Sequence, residues 1–436
     1  MRSSLVKKNN EIGILGLWHL GCVYSTCLAK LGFSVTGWDF DQKIVKNLKK
    51  GLPPIEEPLL KETINKYLNK TLFFTNAPLD TIRNKKYIFI TFDVPVDDND
   101  KIDLSIIDKT FILIAKFISS DTTIVVSSQL PVGYCRKLLK KIQKKNPSVN
   151  LIYFPENLRL GTALDCFLKP DRIIIGSDSK KILDQFENDF YSLDCPFIKI
   201  GLESAEMVKH SLNSYLAMMI SYSSEMSDLC ELFGADMSEV VTALKTERRI
   251  SRYAPINPGL GFAGGTLGRD VQTLRKLAGQ KHYQPLMLRS IYQVNKNRLP
   301  YLIKKIKTLI PSLKNKKIGI LGLTYKPHTS TLRRSMSLEL ASLLIKEGAV
   351  ISAFDPMIKK PVDEYHYVII SKTESDFFQQ LDLIVLMTEW PEFKDFNWKG
   401  DSNLMKNKYI IDTKNFLDRK TMEENSYKYI GMGIVQ

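Results

Sequence analysis

The hexapeptide Ile-Gly-Ile-Leu-Gly-Leu decides the fold, and it occurs twice, at Ile12–Leu17 and at Ile318–Leu323. Each copy precedes a helical stretch, a glycine and a second apolar run that ends in an aspartate, Asp39 in the first case and Asp355 in the second. A strand, a helix and another strand in this order form a βαβ unit. Two such units about 300 residues apart predict two separate doubly wound domains, and two nucleotide-type domains in one chain suggest two ligands.

Between the two copies the pattern changes from alternation to a long helix. From Glu11 to about Leu202, short apolar runs alternate with helical stretches, which is typical of a parallel sheet covered on both faces. From about Ser204 to Ala243 a helical periodicity continues without proline, and Gly234 closes its first part as a helix cap. This helix serves as a spine or a dimer surface, or it packs within the core of its own domain.

A loop rich in glycine and proline follows, from Arg249 to Arg269. A loop of this length inside an ordered protein is usually functional. Strands and helices alternate again from about residue 316. We therefore predict the α/β fold class, with two Rossmann-like doubly wound domains, 1–203 and 316–436, joined by a long central helix. That helix lies in a helical region, 204–315, which also holds the loop.

Length and composition indicate an ordinary globular protein of two or three domains, since 436 residues exceed one core and 44% of them are hydrophobic. No apolar run spans a membrane and the N-terminus lacks a signal core, so we expect a cytoplasmic protein without a membrane partner. The net charge of +15 arises from scattered lysine pairs, which indicates solvated faces rather than nucleic-acid binding. The cysteine and histidine spacings predict no structural metal, and disulfides are not needed.

The first repeat has the features of a dinucleotide-binding turn. The stretch Gly16-Leu17-Trp18-His19-Leu20-Gly21 follows a strand and opens a helix, and Asp39 ends the next strand. Gly16 suits the tight turn, Gly21 allows close helix–strand packing, and Asp39 accepts the ribose 2′-OH, which favours NAD over NADP. Trp18 replaces the second glycine of the usual fingerprint, and it either stacks beside the cofactor or covers the turn. A structural βαβ turn without cofactor is the alternative.

The second repeat differs at the same place. It lacks the later glycine and is basic instead, with Lys326, Arg333 and Arg334 close to the end of the strand. Basic groups at the carboxyl end of a strand suit a diphosphate. This domain therefore more plausibly binds a nucleotide diphosphate than a dinucleotide.

Several separated segments resemble motifs of the UDP-glucose/GDP-mannose dehydrogenase family, and the resemblance covers nearly the whole chain. The glycine loop with Asp39 is similar to the family's NAD loop, and Gly261–Asp270 resembles its G-F-G-G-x-C-F-x-K-D loop. The other similar segments are Gly51–Pro58, Pro131–Gly133, Pro155–Arg159, Pro170–Arg172, Ala205–Asn213, Lys326–Ser335, Asp355–Pro356 and Thr388–Trp390.

The resemblance implies a homodimer that oxidises a nucleotide sugar with NAD, the sugar nucleotide being held by the last domain. It implies that Lys209 and Asn213 flank the sugar, that Asp270 assists proton transfer and that Glu156 is the base of a hydrolytic step. The cofactor contacts that it implies are Gly16, Trp18, His19, Leu20, Gly21, Asp39, Ser128 and Gln129. The substrate contacts that it implies are Leu158, Arg159, Arg249, Phe262, Gly264, Lys326, Arg333 and Lys414, with Arg249 reaching the sugar site of the partner subunit.

The chain departs from these motifs where the covalent chemistry should lie. Thr266 occupies the position of the family's nucleophilic cysteine, and a hydroxyl is a far weaker nucleophile that needs an adjacent strong base. Leu160 replaces a second acidic residue, and Gln129 replaces a threonine. Arg269 replaces a lysine, which keeps the charge but changes the hydrogen-bond geometry.

These departures leave three hypotheses. The first is a single hydride transfer from a nucleotide sugar, expected to be a UDP-hexose, to give an aldehyde or a ketone, because the parts for one transfer remain. The second is full four-electron oxidation to a uronic acid through a hydrated aldehyde, with Glu156 or Asp270 activating water. The third is a pseudoenzyme that binds nucleotide sugar and NAD without turning them over.

Overall fold

The chain divides into two compact units, Met1–Ser211 and Leu212–Gln436. The computed structural model describes residues 11–95, 102–332 and 334–434. The boundary between the units falls inside the long helix that the sequence predicts. The three-part division into 1–203, 204–315 and 316–436 stays a prediction.

The first unit is built on an eight-stranded sheet. Its strands are β1 (Glu11–Leu15), β2 (Ser34–Trp38), β3 (Leu72–Phe74), β4 (Tyr87–Ile90), β5 (Thr123–Val126), β6 (Asn150–Tyr153), β7 (Ile173–Gly176) and β8 (Phe197–Ile200). They lie in the order β3-β2-β1-β4-β5-β6-β7-β8. The first six are parallel in the doubly wound order, in which ligands bind outside the carboxyl ends of the strands where the order reverses, here beside β1.

Helices cover both faces of this sheet. They are α1 (His19–Lys30), α2 (Gln42–Leu48), α3 (Leu60–Tyr67), α4 (Ser105–Phe117), α5 (Tyr134–Gln143), α6 (Ala163–Leu168) and α7 (Lys180–Asp189). Buried side chains alternate along each strand between two hydrophobic layers. In β4, Phe89 belongs to one layer, and Ile88 and Ile90 belong to the other. This alternation places a core on each side of the sheet.

The prediction of a parallel sheet is wrong at one place, because β7 runs antiparallel to β6. The connection between these strands contains only α6, whose six residues span about 9 Å. So short a helix does not carry the chain back along the sheet, as a parallel crossover requires. The sheet thus gains two strands, β7 and β8, beyond the six of the doubly wound order.

The second unit has a six-stranded sheet. Its strands are β9 (Lys317–Leu321), β10 (Val350–Phe354), β11 (Ile369–Ile370), β12 (Leu383–Leu386), β13 (Tyr409–Asp412) and β14 (Lys428–Gly431). They are all parallel, in the order β11-β10-β9-β12-β13-β14. The second repeat thus reproduces the doubly wound order of the first, which confirms the predicted fold class.

Helices form the rest of the second unit and link it to the first. They are α8 (Leu202–Phe233), α9 (Met237–Leu244), α10 (Leu267–Gln280), α11 (Leu286–Lys296), α12 (Arg298–Leu309), α13 (Met336–Lys346), α14 (Glu374–Phe378), α15 (Trp398–Asp401) and α16 (Arg419–Glu424). The 32-residue α8 is the predicted central helix. Gly234 ends it at φ 78°, and the Ala235 N–H returns to the carbonyl of Cys230, which is a Schellman cap.

Among residues 11–95, 102–332 and 334–434, no helix is both long and apolar enough to span a bilayer.

Candidate functional site

The turn between β1 and α1 has no room for side chains at its two glycines. Gly16 has φ 101°, and a Cβ there would lie 2.7 Å from the backbone nitrogen of Phe92. A Cβ on Gly21 would lie 1.7 Å from the carbonyl oxygen of Gly16. The first glycine is therefore required by the turn, and the second by the approach of α1 to the strand that precedes it.

The N-terminus of α1 is suited to an anion. No side chain caps its first N–H groups, so these donors remain for a ligand. Trp18 holds the N-cap position and is 42% exposed, so its ring does not serve as a buried cover for the turn. The side chain of Leu20, by contrast, packs in the hydrophobic core beneath α1, so only the backbone of this residue can offer a cofactor a polar group.

Asp39 is held against the glycine turn. Its Oδ2 accepts the backbone N–H of Leu17 at 2.6 Å, and its Oδ1 accepts that of Asp41 at 2.8 Å. Burial raises the pKa of the Asp39 carboxyl, and the two N–H donors oppose that rise. A carboxylate has about four lone-pair positions, so the capacity to accept a ribose hydroxyl remains.

The other predicted cofactor residues lie at the carboxyl ends of neighbouring strands or at the start of α1. Ser128, after β5, is buried and donates to the carbonyl of Phe92 at 2.7 Å. Gln129 is buried beside it. His19 opens α1, and its Nε2 lies 3.1 Å from Glu57 Oε2.

Two of the predicted catalytic residues form an ion pair in the first unit. Lys209 Nζ lies 3.0 Å from Glu156 Oε1 and also donates to the Glu156 carbonyl oxygen at 2.7 Å. The other carboxylate oxygen, Oε2, accepts the N–H of Leu158 at 2.9 Å. Lys209 is only 7% exposed, so its ammonium is fixed in place by these contacts.

Two further catalytic candidates pair in the second unit. The Asn213 amide nitrogen donates to Asp270 Oδ2 across a short hydrogen bond. Asp270 is fully buried and Asn213 is 5% exposed. The Arg269 guanidinium lies 3.4 Å from the other oxygen of Asp270. The four polar catalytic candidates therefore form two pairs, Lys209 with Glu156 in the first unit and Asn213 with Asp270 in the second.

Thr266 stands apart from both pairs in its bonding. It is the N-cap residue of α10, its side chain is exposed, and its hydroxyl caps none of the helix N–H groups. Its own carbonyl accepts the N–H of Asp270 at 3.1 Å, so Thr266 and Asp270 are joined through the backbone. Within the described part of the chain, no side chain hydrogen-bonds to the Thr266 hydroxyl, which therefore lacks the adjacent base that a nucleophilic threonine needs.

The glycine-rich loop before α10 is clamped by a residue that the sequence did not single out. The Asn295 amide accepts the N–H of Phe262 at 2.8 Å and donates to the carbonyl of the same residue at 3.1 Å. A Cβ on Gly261, at φ 88°, would lie 2.4 Å from the Asn295 side chain. Gly264 continues the loop at φ 79° and donates to the Arg334 carbonyl at 3.2 Å.

The turn after β9 has the same aspartate hydrogen bonds as the first turn, and two further hydrogen bonds from Thr324. Asp355 Oδ2 accepts N–H groups from Leu323 at 2.7 Å and Thr324 at 3.0 Å, and the Thr324 hydroxyl at 3.1 Å. Met357 donates to Oδ1, as Asp41 does to Asp39. Asp355 is 1% exposed, so its carboxylate is consumed inside the protein and does not favour a second dinucleotide.

The predicted substrate residues are dispersed. Lys326 lies over the ring of Tyr325 in the turn after β9. Lys414 follows β13, and its Nζ lies 3.5 Å from the Glu389 carboxylate. Arg249 pairs with Glu247 at 3.1 Å and its side chain is 87% exposed. Leu158 is half-buried and Arg159 is exposed, both in the segment that follows Glu156, whereas Arg333 lies outside the described residues.

Three residues near these turns were given no role from sequence, although Glu57 lies in the Gly51–Pro58 segment. Thr91 donates its hydroxyl to the Gly16 carbonyl at 2.7 Å, Glu57 contacts His19, and Asn295 clamps Phe262. Thr91 is the last residue of a strand predicted over Tyr87–Thr91, and its place at the carboxyl end of that strand is a signal that could have found it. The partners of Glu57 and Asn295 lie more than 30 positions away, so no local pattern indicates them.

Three family models match the chain in succession. The NAD binding domain of the UDP-glucose/GDP-mannose dehydrogenase family matches residues 10–193. The central domain of that family matches residues 203–297. Its UDP binding domain matches residues 319–419.

Individual proteins are similar over almost their full length. The chain is 31% identical to a UDP-glucose 6-dehydrogenase of Rickettsia felis, over 97% of this chain and 96% of that protein. It is 29% identical to the UDP-glucose 6-dehydrogenase TuaD of Bacillus subtilis, over 97% and 93%. A solved UDP-glucose dehydrogenase from the archaeon Pyrobaculum islandicum superposes with a TM-score of 0.90, at 25% identity and with 100% of both chains covered.

Proposed function

Because the chain belongs to the UDP-glucose/GDP-mannose dehydrogenase family, whose NAD-binding domain it contains, we propose that it oxidises a UDP-hexose by a single hydride transfer. The product is an aldehyde or a keto sugar nucleotide. The observation that carries this proposal is Thr266, which stands at the N-cap of α10 without a base bonded to its hydroxyl.

The first turn fits NAD on its own geometry. The space at Gly16 and Gly21 excludes any side chain, the first turn of α1 keeps N–H donors for a diphosphate, and Asp39 presents a carboxylate beside them. When bound, NAD supplies the acceptor for the hydride. A carboxylate at this position repels a 2′-phosphate, which supports NAD rather than NADP.

Lys209 and Asn213 are the residues that we assign to the alcohol that is oxidised. Their spacing of four on α8 puts both side chains on one face of that helix, which supports a shared substrate. Lys209 would stabilise the negative charge that grows on the oxygen as its proton leaves. Asn213, held by Asp270, would hydrogen-bond the same sugar, and Asp270 would assist the proton transfer.

The reaction ends at the carbonyl stage because the chain offers no covalent trap. One hydride leaves the carbon for NAD, one proton leaves the oxygen for solvent, and a C=O bond results. Holding the carbonyl for a second oxidation would require an activated nucleophile at position 266. The bonding of the Thr266 hydroxyl does not support activation.

Full oxidation to a uronic acid is the second candidate, and the accessibility of Glu156 favours it. The Glu156 side chain is 23% exposed, so water can reach a carboxylate that Lys209 and the Leu158 N–H orient. Such a carboxylate could activate water against the carbonyl, and the hydrated aldehyde would then give up a second hydride. This path consumes two NAD for each sugar.

We also propose how the substrate and the partner subunit are bound. The ammonium groups of Lys326 and Lys414, with Arg333, would hold the diphosphate at the carboxyl end of the second sheet. Arg249 would extend into the sugar site of a partner subunit in a homodimer, which its exposure supports.

The test is the stoichiometry of NADH to sugar, measured with the mass of the product, for purified protein with NAD and UDP-hexoses. One NADH and a loss of two mass units would support the proposal. Two NADH and a new carboxylate would replace it with full oxidation. Saturable binding of NAD and UDP-glucose without NADH would indicate a pseudoenzyme, provided that Lys209→Met binds them equally well.

A further inference from the structure

Glu57 joins two parts of the first unit that the reaction requires. One is the start of α1, which follows the glycine turn for NAD. The other is the start of α6, which ends the segment from Glu156 to Thr162. Glu57 itself lies in the turn before α3, and its side chain is 1% exposed. The contacts of this single buried carboxyl group therefore reach both the cofactor turn and the segment with the candidate base.

Each oxygen of Glu57 has its own partner. Oε1 accepts the backbone N–H of Ala163, the first residue of α6, at 2.9 Å. Oε2 lies 3.1 Å from His19 Nε2, and His19 is the first residue of α1. With the ring proton on Nε2, His19 donates to this oxygen. Neither partner replaces the other, because the two bonds use different oxygens and fix different helices.

We propose that Glu57 is a positioning residue that fixes the position of the cofactor turn relative to the segment that begins at Glu156. The inference rests on the proposed function, in which NAD binds at the first turn of α1 and the segment after Glu156 contacts the substrate. Through His19 it fixes the α1 N–H donors that would hold the diphosphate of NAD. Through Ala163 it fixes the far end of the segment whose near end is held by the bond from Leu158 to Glu156.

Three substitutions separate the two contacts. His19→Phe keeps an aromatic ring of similar size and removes only the bond to Oε2. Glu57→Ala removes both bonds, and Glu57→Gln keeps an acceptor for Ala163 if the alanine variant does not fold. Binding of NAD and of UDP-glucose is measured by calorimetry, each alone, and no turnover is needed.

His19→Phe is expected to weaken NAD binding about tenfold and to change UDP-glucose binding less than twofold. Glu57→Ala is expected to weaken both by about tenfold or more, and Glu57→Gln to restore UDP-glucose binding. These sizes correspond to the loss of one or two buried hydrogen bonds.

The control is Asp189→Asn. Asp189 also accepts a side-chain hydrogen bond in the first unit, from Tyr87 at 2.6 Å. Tyr87 is the first residue of β4, so it lies at the amino end of that strand, whereas the glycine turn lies at the carboxyl ends of the strands. The Asp189→Asn variant should have a lower Tm and unchanged affinities for NAD and for UDP-glucose. NAD affinity within twofold of the parent in both Glu57 variants overturns the inference. Failure of the proposed chemistry would instead leave these affinities altered while the parent protein formed no carbonyl product.

Discussion

Leu17 donates its backbone N–H to the carboxylate of Asp39 over 2.6 Å, and this bond closes the turn that we assign to the cofactor. The second domain repeats it between Leu323 and Asp355 at 2.7 Å. The Asp39 and Asp355 carboxylates therefore stabilise their turns in the same way, but Asp355 also accepts two hydrogen bonds from Thr324. The first is left with capacity for a ligand, and the second is not.

This pair gives a prediction for ligand affinity. Asp39→Asn keeps one acceptor for Leu17 and loses the charge that favours a ribose hydroxyl, so NAD affinity should fall about tenfold, in keeping with a hydrogen bond to a charged group. Asp355→Asn is the matched variant, and it should leave the NAD affinity unchanged. Calorimetric titration with NAD checks both, and equal losses in the two variants would contradict the assignment of NAD to the first domain.

A second prediction concerns the ammonium of Lys209. Lys209→Met keeps the length of the side chain and removes the charge that would stabilise the oxyanion, so kcat should fall about 10²–10³-fold. NAD affinity should stay within about twofold, since the residue faces Glu156 rather than the cofactor turn. Steady-state NADH formation with UDP-glucose measures the first effect, and calorimetry measures the second.

Lys305→Met is the control for that substitution. Lys305 is equally buried and pairs with Glu231 at 2.6 Å. Its removal leaves the Glu231 carboxylate, which is 17% exposed, with the bonds from the Tyr301 hydroxyl and the Gly433 N–H, and it should cost about 1–3 kcal/mol of folding free energy. It should lower Tm clearly and leave kcat near the parent value. If both lysine variants lost kcat to the same extent, the effect at Lys209 would be one of stability.

A third prediction concerns Thr266 and decides the number of hydride transfers. Thr266→Ala should change kcat by less than about twofold, because its hydroxyl is not an activated nucleophile. Thr266→Cys should convert the product to an acid with two NADH per sugar, since a thiol at the N-terminus of α10 ionises readily. Product mass and NADH stoichiometry read out both variants, and a dead alanine variant would show that the hydroxyl takes part.

A fourth prediction concerns the clamp on the glycine-rich loop. Asn295→Asp keeps the acceptor for the Phe262 N–H but places a carboxylate oxygen against the Phe262 carbonyl. The lost bond costs about 1–3 kcal/mol, and the loop that leads to Thr266 loses its fixed geometry. We expect a lower Tm and a kcat reduced about tenfold, by analogy with the cost of misplacing catalytic groups.

The chain contains a matched clamp for comparison. Asn415 accepts the N–H of Met432 and donates to its carbonyl, each at 2.8 Å. Asn415→Asp should therefore lower Tm by a similar amount without the tenfold loss in kcat. The same loss of kcat in both variants would mean that the effect of Asn295 is not specific to the loop.

A fifth prediction concerns backbone strain at Leu59. This residue adopts φ 63° before α3 and is 67% exposed. The left-handed conformation destabilises the folded state by about 1–2 kcal/mol for a residue with a Cβ, and glycine avoids this cost. Glycine also loses more backbone entropy on folding, which offsets about 0.5–1 kcal/mol of the gain. Leu59→Gly should therefore raise the free energy of unfolding by about 0.5–1 kcal/mol.

Thermal unfolding measures this change, and Gly234→Ala provides the reverse case. Gly234 has φ 78°, and a Cβ there would meet no atom within 4 Å, so only the backbone conformation opposes alanine. That variant should lose about 1 kcal/mol. A lower Tm for Leu59→Gly would show that the leucine side chain contributes more than its exposure indicates.

Much of the architecture could be predicted because it depends on residues that lie close together in the sequence. The strand from Ile12, the turn at Gly16 and the acid at Asp39 lie within 30 residues of one another, and their periodicity alone indicates a βαβ unit. The repeat at Ile318 then indicates a second unit. The four described strands that the prediction from sequence missed lie at the edges of the two sheets: Leu72–Phe74, Phe197–Ile200, Ile369–Ile370 and Lys428–Gly431. The first and third have only three and two residues, which give no readable period.

The sequence by itself determined the two doubly wound domains, the long helix α8 and the family, because each depends on the order of residue types along the chain. Only the tertiary structure decided the antiparallel entry of β7, the bonds of Glu57 to His19 and Ala163, and the clamp by Asn295. Those contacts join residues 33 to 106 positions apart. Such partners are selected by the packing of whole helices against the sheet, a long-range property that no window of sequence contains.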